Sequence, residues 1–196
     1  MRNDSGKKNI WYRPAGLIIL LLLCGTQMAA CTISVGIPPL PSSTDTTSAT
    51  AATSPTTQEH QIAQAVFDAI NKDRVAARLS PLQWSDALAR SAYQHDLTMT
   101  AANQLAHQLP GEAGLGDREK QQGITWLVAA ENIGFTEDIS ERGVLALHQA
   151  MMAERPPDDG HRQNILNTQI KQLGVDVLFD ARHGRYWLTE DFARIA

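Results

Sequence analysis

Both cysteines of this 196-residue chain, Cys24 and Cys31, fall within its first 31 residues. The apolar periodicity that can build a core begins only after residue 57. Whatever folds downstream therefore has no disulfide, no cysteine nucleophile and no thiolate metal site. That part, about 140 residues, is long enough to be held by apolar burial alone.

Ahead of it the composition changes twice. Arg2, Lys7, Lys8 and Arg13 precede the apolar run Leu17 to Leu23, a charged segment followed by a short hydrophobic one. The run is short for a membrane span. It leads into Met28-Ala29-Ala30-Cys31, which resembles a lipobox, where small residues before a cysteine permit cleavage and lipid attachment. Residues 1–30 thus read as a signal peptide, Cys31 as the lipidation site and the membrane as a partner through that anchor. Cleavage without lipidation, or retention of Gly16 to Ala30 as a signal anchor, are the alternatives. Residues 32–57 are rich in Ser, Thr, Pro and Ala and nearly free of charge. Such a segment reads as a disordered tether with a reach of about 30 Å. Residues 58–196 are the one globular domain.

The exported portion is acidic. Residues 31–196 carry 13 Lys and Arg against 20 Asp and Glu, a net of −7 with His neutral. No basic stripe or stacking-aromatic cluster appears, so nucleic acid is not an expected partner, whereas a cation suits the field.

Within the domain, Ile62, Val66 and Ile70 recur at helical spacing, predicting a helix from about Gln58 to Arg78 whose polar end carries Asn71 and Arg74. Ser80-Pro81 stops it, Leu82 and Trp84 alternate inward, and Ser85 caps a second helix at Asp86. Leu88, Ala92, His95 and Met99 share one face of that helix, which makes His95 a core histidine. A short helix is expected over 117–122, ended by Gly123, and another from Ser140 to Glu154, ended by Arg155-Pro156-Pro157. Leu173 to Phe179 and Arg185 to Phe192 alternate like a hairpin joined through His183-Gly184. His60, His148 and His183 read as structural. The mixture indicates an α+β domain.

Four further residues stand in distinctive contexts: His107 in Asn103-Gln104-Leu105-Ala106-His107, Glu131 in Glu131-Asn132-Ile133-Gly134, Glu154 at a helix end, and His161 in Gly160-His161-Arg162-Gln163-Asn164-Ile165-Leu166. With Asn71-x-x-Arg74, Leu79-Ser80-Pro81-Leu82-Gln83-Trp84, Leu173-Gly174-Val175 and Tyr186 to Phe192, this ordered set resembles the CAP (SCP/TAPS) superfamily in its compact bacterial form. The resemblance implies a three-layer α-β-α sandwich with a small antiparallel sheet. It also implies an open cleft lined by His107, Glu131, Glu154 and His161, with Asn132 bracing the local backbone. Some members hold zinc or a similar cation in that cleft.

Two imidazoles, His107 and His161, are fewer ligands than a zinc centre normally takes. Any divalent cation should therefore bind weakly and leave below about pH 6 as imidazole protonates. Glu131 and Glu154 would either complete its shell or accept the other ring N–H of each histidine. The leading expectation is a membrane-tethered binding module for a lipidic, cell-wall-derived or peptidic ligand. A metal-assisted hydrolase with Glu131 or Glu154 as general base is the second reading. An interaction domain whose four residues only stabilise the fold is the third. Neither H-E-x-x-H nor G-x-S-x-G occurs.

Overall fold

The computed structural model describes residues 54–196; the signal segment, Cys31 and nearly all of the tether lie outside the described residues. Thr56 opens helix α1 (Thr57–Ala76) with a reciprocal capping box to Glu59. Its buried stripe is Ile62, Ala63, Val66 and Ile70. Asn71 then brackets Leu82, donating to its carbonyl at 3.1 Å and accepting from its amide at 2.7 Å. This aims the chain along the sheet as β1 (Gln83–Trp84), which runs parallel to the strand it borders. The sheet is therefore mixed rather than wholly antiparallel. The parallel piece is only two residues long, Gln83 and Trp84 against Gln172 and Leu173, too short to register in the sequence pattern.

Ser85 caps α2 (Asp86–Ala102), and α3 (Leu115–Gln121) follows after a loop. Strand β2 (Trp126–Thr136) precedes α4 (Glu141–Ala153), capped by Ser140. A six-residue helix, α5 (Gly160–Ile165), comes next and was not anticipated. The chain ends in the hairpin β3 (Gln172–Asp180) and β4 (Arg185–Ile195), whose turn uses Gly184 at φ 65°. The sheet order is β1-β3-β4-β2.

Helices cover both faces. One holds the core of α1 and α4, with Ile62, Val66, Ile70, Val144, Met151, Leu188 and Phe192. On the other, α2 lies so close to β3 that a Cβ on Gly174 would fall 2.0 Å from the Ala89 nitrogen. Glycine is the residue that permits that approach. The result is a three-layer α-β-α sandwich.

Strand alternation then sorts the site residues. Glu131 pairs with Asp191 and Asn132 with Glu190 across the β2–β4 ladder. Neighbours along a strand face opposite sides, so Glu131 points toward α2 and α3 while Asn132 points toward α4 and α5. β2 is the outermost strand on its side.

Candidate functional site

Helix α2 ends at Asn103 in the left-handed region, φ 49°, a conformation Asn tolerates better than most residues. The reversal launches the loop that carries His107. Within that loop Glu112 accepts the Leu109 amide at 3.0 Å, and its other oxygen meets His95 Nδ1 at 2.7 Å. Arg118, from α3, donates to the carbonyls of His107 and Ala113, each at 3.3 Å, and its other terminal nitrogen donates to Glu131 Oε2. One buried guanidinium thus ties the loop to the strand.

Glu131 Oε1 receives His107 Nδ1 at 2.8 Å. Since the carboxylate can only accept, Nδ1 carries the proton and Nε2 is left as the outward nitrogen of the neutral ring. The His107 side chain is 62% exposed and that of Glu131 only 3%. The hydrogen bond that His107 donates to Glu131 raises the His107 pKa above the ordinary imidazole value, against burial, which lowers it.

The second pair is built differently. Glu154 sits at the C-cap of α4 in extended conformation, and its side chain turns back onto the start of α5. Asp159, the N-cap of α5, makes no side-chain cap bond. Glu154 Oε2 takes the role instead, accepting the amides of His161 at 3.0 Å and Arg162 at 3.4 Å. These are amides that a helix leaves unpaired. Its Oε1 holds His161 Nδ1 at 2.5 Å. Arg74 fixes the far end of α5, donating to the carbonyls of Ile165 at 2.7 Å and Asn167 at 3.0 Å.

The two pairs are joined through amides. Asn132 Nδ2 donates to the His161 carbonyl at 3.3 Å. Asn164 Nδ2 donates to Asn132 Oδ1 at 2.9 Å and to the Glu131 carbonyl at 3.2 Å. His107 meets Glu131 and His161 meets Glu154, while the pairs communicate through Asn132 and Asn164. Among the described residues no three His, Cys, Asp or Glu side chains converge as a metal-ligand set.

Sequence reasoning missed Arg118 and Glu112, both buried participants. His95, His148 and His183, read from the sequence as core or structural, each meet a carboxylate that the family resemblance does not suggest: Glu112 at 2.7 Å, Asp73 at 2.9 Å and Asp180 at 2.6 Å respectively. His95 Nε2 lies 3.8 Å behind Glu131 Oε2. His60 packs edge-on against Trp84.

A polar cavity of about 230 Å³, bordered by Ser91, Gln94, Glu112 and Arg118, adjoins the His107 cluster. A larger one of about 480 Å³ lies elsewhere, near the start of α1, against Tyr93, Leu97, Phe179 and Tyr186. Neither cavity is lined by any of the four candidate residues; the smaller reaches their neighbourhood through Glu112 and Arg118, which contact the His107 loop and Glu131.

The fold, the ordered motifs and the paired His–Glu geometry define a CAP domain. The family described as "CAP: Cysteine-rich secretory protein family" matches residues 67–192, and the chain belongs to it. Among its relatives is the uncharacterized protein YkwD of Bacillus subtilis (strain 168), 32% identical over 110 residues, spanning 56% of this chain and 40% of that protein. The uncharacterized membrane protein YlbC of the same organism is 29% identical over 139 residues, 71% of this chain and 35% of that one. The chain thus spans well under half the length of these relatives. A solved structure of an extracellular SCP-domain protein from Bacillus anthracis is 30% identical with TM-score 0.59, covering 72% of this chain and 45% of that one. An outer surface protein of Borrelia burgdorferi, 16% identical with TM-score 0.59, shares the fold over 69% of this chain and 94% of its own.

Proposed function

We propose that the protein is an extracytoplasmic binding module, tethered to the membrane through a lipid on Cys31, that uses the His107 and His161 imidazoles as the ligand-contacting groups of a CAP cleft. The observation that carries this is the commitment of both carboxylates. Each glutamate spends one oxygen on a histidine Nδ1 and the other on a fixed donor, Arg118 for Glu131 and the α5 amides for Glu154. Carboxylates so placed orient rings and make Nε2 more basic, as outer partners of ligating histidines do.

By residue type, two imidazole nitrogens could hold a divalent cation such as zinc only with water completing its shell, since no third His, Asp or Glu among the described residues joins them as a ligand set. Such an ion would supply an electrophilic anchor for an anionic or carbonyl group of a lipidic, cell-wall-derived or peptidic ligand. Because His107 holds its proton to higher pH than a free imidazole, cation binding should begin to fade at a correspondingly higher pH. A hydrolase would need a carboxylate aimed at a water to take its proton, whereas both glutamates direct one oxygen to a histidine Nδ1 and the other to a fixed donor. A purely structural tetrad would bury its histidines, yet His107 is mostly exposed. Export is supported by the B. anthracis relative, which is extracellular, and by the N-terminal motif. No helix among the described residues is long and apolar enough to cross a membrane.

Calorimetric titration with zinc tests this reading. Saturable 1:1 binding that His107→Ala and His161→Ala each weaken, with folding intact, is expected. Binding that survives both substitutions would refute it.

A further inference from the structure

On the far face of β4 from Glu131, Glu190 is fully buried, and so is Asn132 opposite it. Glu190 Oε2 accepts Asn132 Nδ2 at 2.8 Å. Its Oε1 has no hydrogen-bond partner and faces His148 Nδ1, equally unpartnered, at 3.9 Å. Behind that, His148 Nε2 meets Asp73 Oδ2 at 2.9 Å where α1 and α4 come together. A line of polar groups, broken only by the 3.9 Å gap between His148 and Glu190, therefore runs from Asp73 on α1 through His148 on α4 and Glu190 on β4 to Asn132 on β2. From Asn132 it reaches the His161 carbonyl and Asn164.

We infer that Glu190, backed by His148, is a positioning residue for the His161 arm of the site. By accepting from Asn132 it fixes the orientation of that amide, and the amide sets how α5 sits against β2.

Two physical facts support this assignment. A buried carboxyl group with one oxygen unpaired is costly, and nothing in the apolar core of that face calls for an acid. Second, Asn132 has a donor and an acceptor that could exchange places by an amide flip. An acceptor-only oxygen beside Nδ2 forbids the flip, which would turn Nδ2 away from both Glu190 and the His161 carbonyl. The His148 ring, with Nε2–H bonded to Asp73, offers Nδ1 as an acceptor. Burial pushes the Glu190 carboxyl up to about 7, so a protonated Oε1 can donate toward Nδ1, directly after a small shift or through a water.

Because ligand contact by His161 is itself the proposal above, this inference rests on that reading for its consequence in binding but not for its geometry. The test uses the full-length protein with Glu190→Met, similar in volume but unable to accept, and Glu190→Gln, whose amide oxygen can replace Oε2. Asn132→Ser, which shortens the link, serves if Glu190→Met does not fold. The readouts are the ring resonances of ¹⁵N-labelled histidines and zinc affinity. Glu190→Met should displace the His161 ring signals while leaving those of His107 in place, and weaken zinc by about tenfold, the low end for outer-shell substitutions; Glu190→Gln should restore both. If the parent protein binds no zinc, the binding proposal falls, and the ring signals alone decide this one. Unmoved His161 resonances in Glu190→Met, or in Asn132→Ser if that is the variant that folds, would overturn it, as would equal displacement of both histidines.

Discussion

The two His–Glu pairs reach the same local chemistry by opposite means. At His107 the carboxylate is buried and held by another side chain, Arg118, which also pins the loop carrying the histidine. At His161 the carboxylate is 23% exposed and is held by backbone amides at the start of a short helix. The first pair depends on a charge placed in the interior. The second depends on where a helix begins. A charge anchor is strong but fragile, because removing one member strands the other; a backbone anchor has water as a substitute.

The largest effect should therefore come from Arg118→Met. It leaves Glu131 and Glu112 buried beside an apolar chain, and breaking a buried pair in this way costs about 3–5 kcal/mol. Denaturant unfolding should show the loss, and His107 should become mobile by NMR. A loss under about 1 kcal/mol would mean that Arg118 is solvated and the first pair is no more dependent on charge than the second.

Next in size is a pH effect concentrated on the α2 face of the sheet, to which Glu190 on the other face, raised to about 7 by burial, adds. Burial pushes Glu119 up to about 8 and Asp176 up to about 7, and raises Asp96 and Asp191 well above the usual carboxylate range. All four lie on the α2 side. Their folded pKa values exceed the unfolded ones, so the folded state binds the extra protons. That stability is fully present below the unfolded carboxylate range, about pH 4, and is lost as pH rises through the folded values, about 7 for Asp176 and about 8 for Glu119, with Asp96 and Asp191 contributing in the same direction. The melting temperature should be higher at pH 5.5 than at pH 8.5 by roughly 5–10 °C, at a few degrees per kcal/mol for a domain of this size. Asp176→Asn should reduce the difference. A melting temperature that rises over this interval would contradict the assignment of those protons.

Smaller still is Glu154→Ala. The freed amides of His161 and Arg162 can turn to water, so thermal unfolding should show a cost of only about 1 kcal/mol, while zinc affinity falls by about tenfold through loss of ring orientation. A stability loss as large as that of Arg118→Met would erase the distinction between the anchors. The least perturbing change is Ser85→Ala, remote from both pairs. It should cost about 1 kcal/mol as a lost helix cap and leave zinc affinity unchanged in the same titration.

This contrast also explains what was legible beforehand. His107, Glu131, Glu154 and His161 stand in sequence contexts that carry a family likeness, and Ser85 and Ser140 advertise the helices they cap. Arg118 does not stand out. In Leu115-Gly116-Asp117-Arg118-Glu119-Lys120-Gln121 it is one charge among four, and only the docking of α3 against β2 decides which of them turns inward. Glu190 and Asp191 were hidden for a related reason. A strand covered by helices on both faces loses the alternation that marks inside from outside, so adjacent acids both end up buried. Helix α5 is less than two turns long and leaves no periodic trace, although it carries His161.

The central claim is that the carboxylates serve the histidines and the histidines serve a ligand. Zinc titration of the full-length protein, at about pH 7.5 and again at about pH 5.5, tests it most directly. The expected result is 1:1 binding at the higher pH, absent at the lower, and lost when His107 and His161 are both replaced by alanine in a protein that still folds. Binding that persists in that double variant, or no binding at either pH, would contradict it.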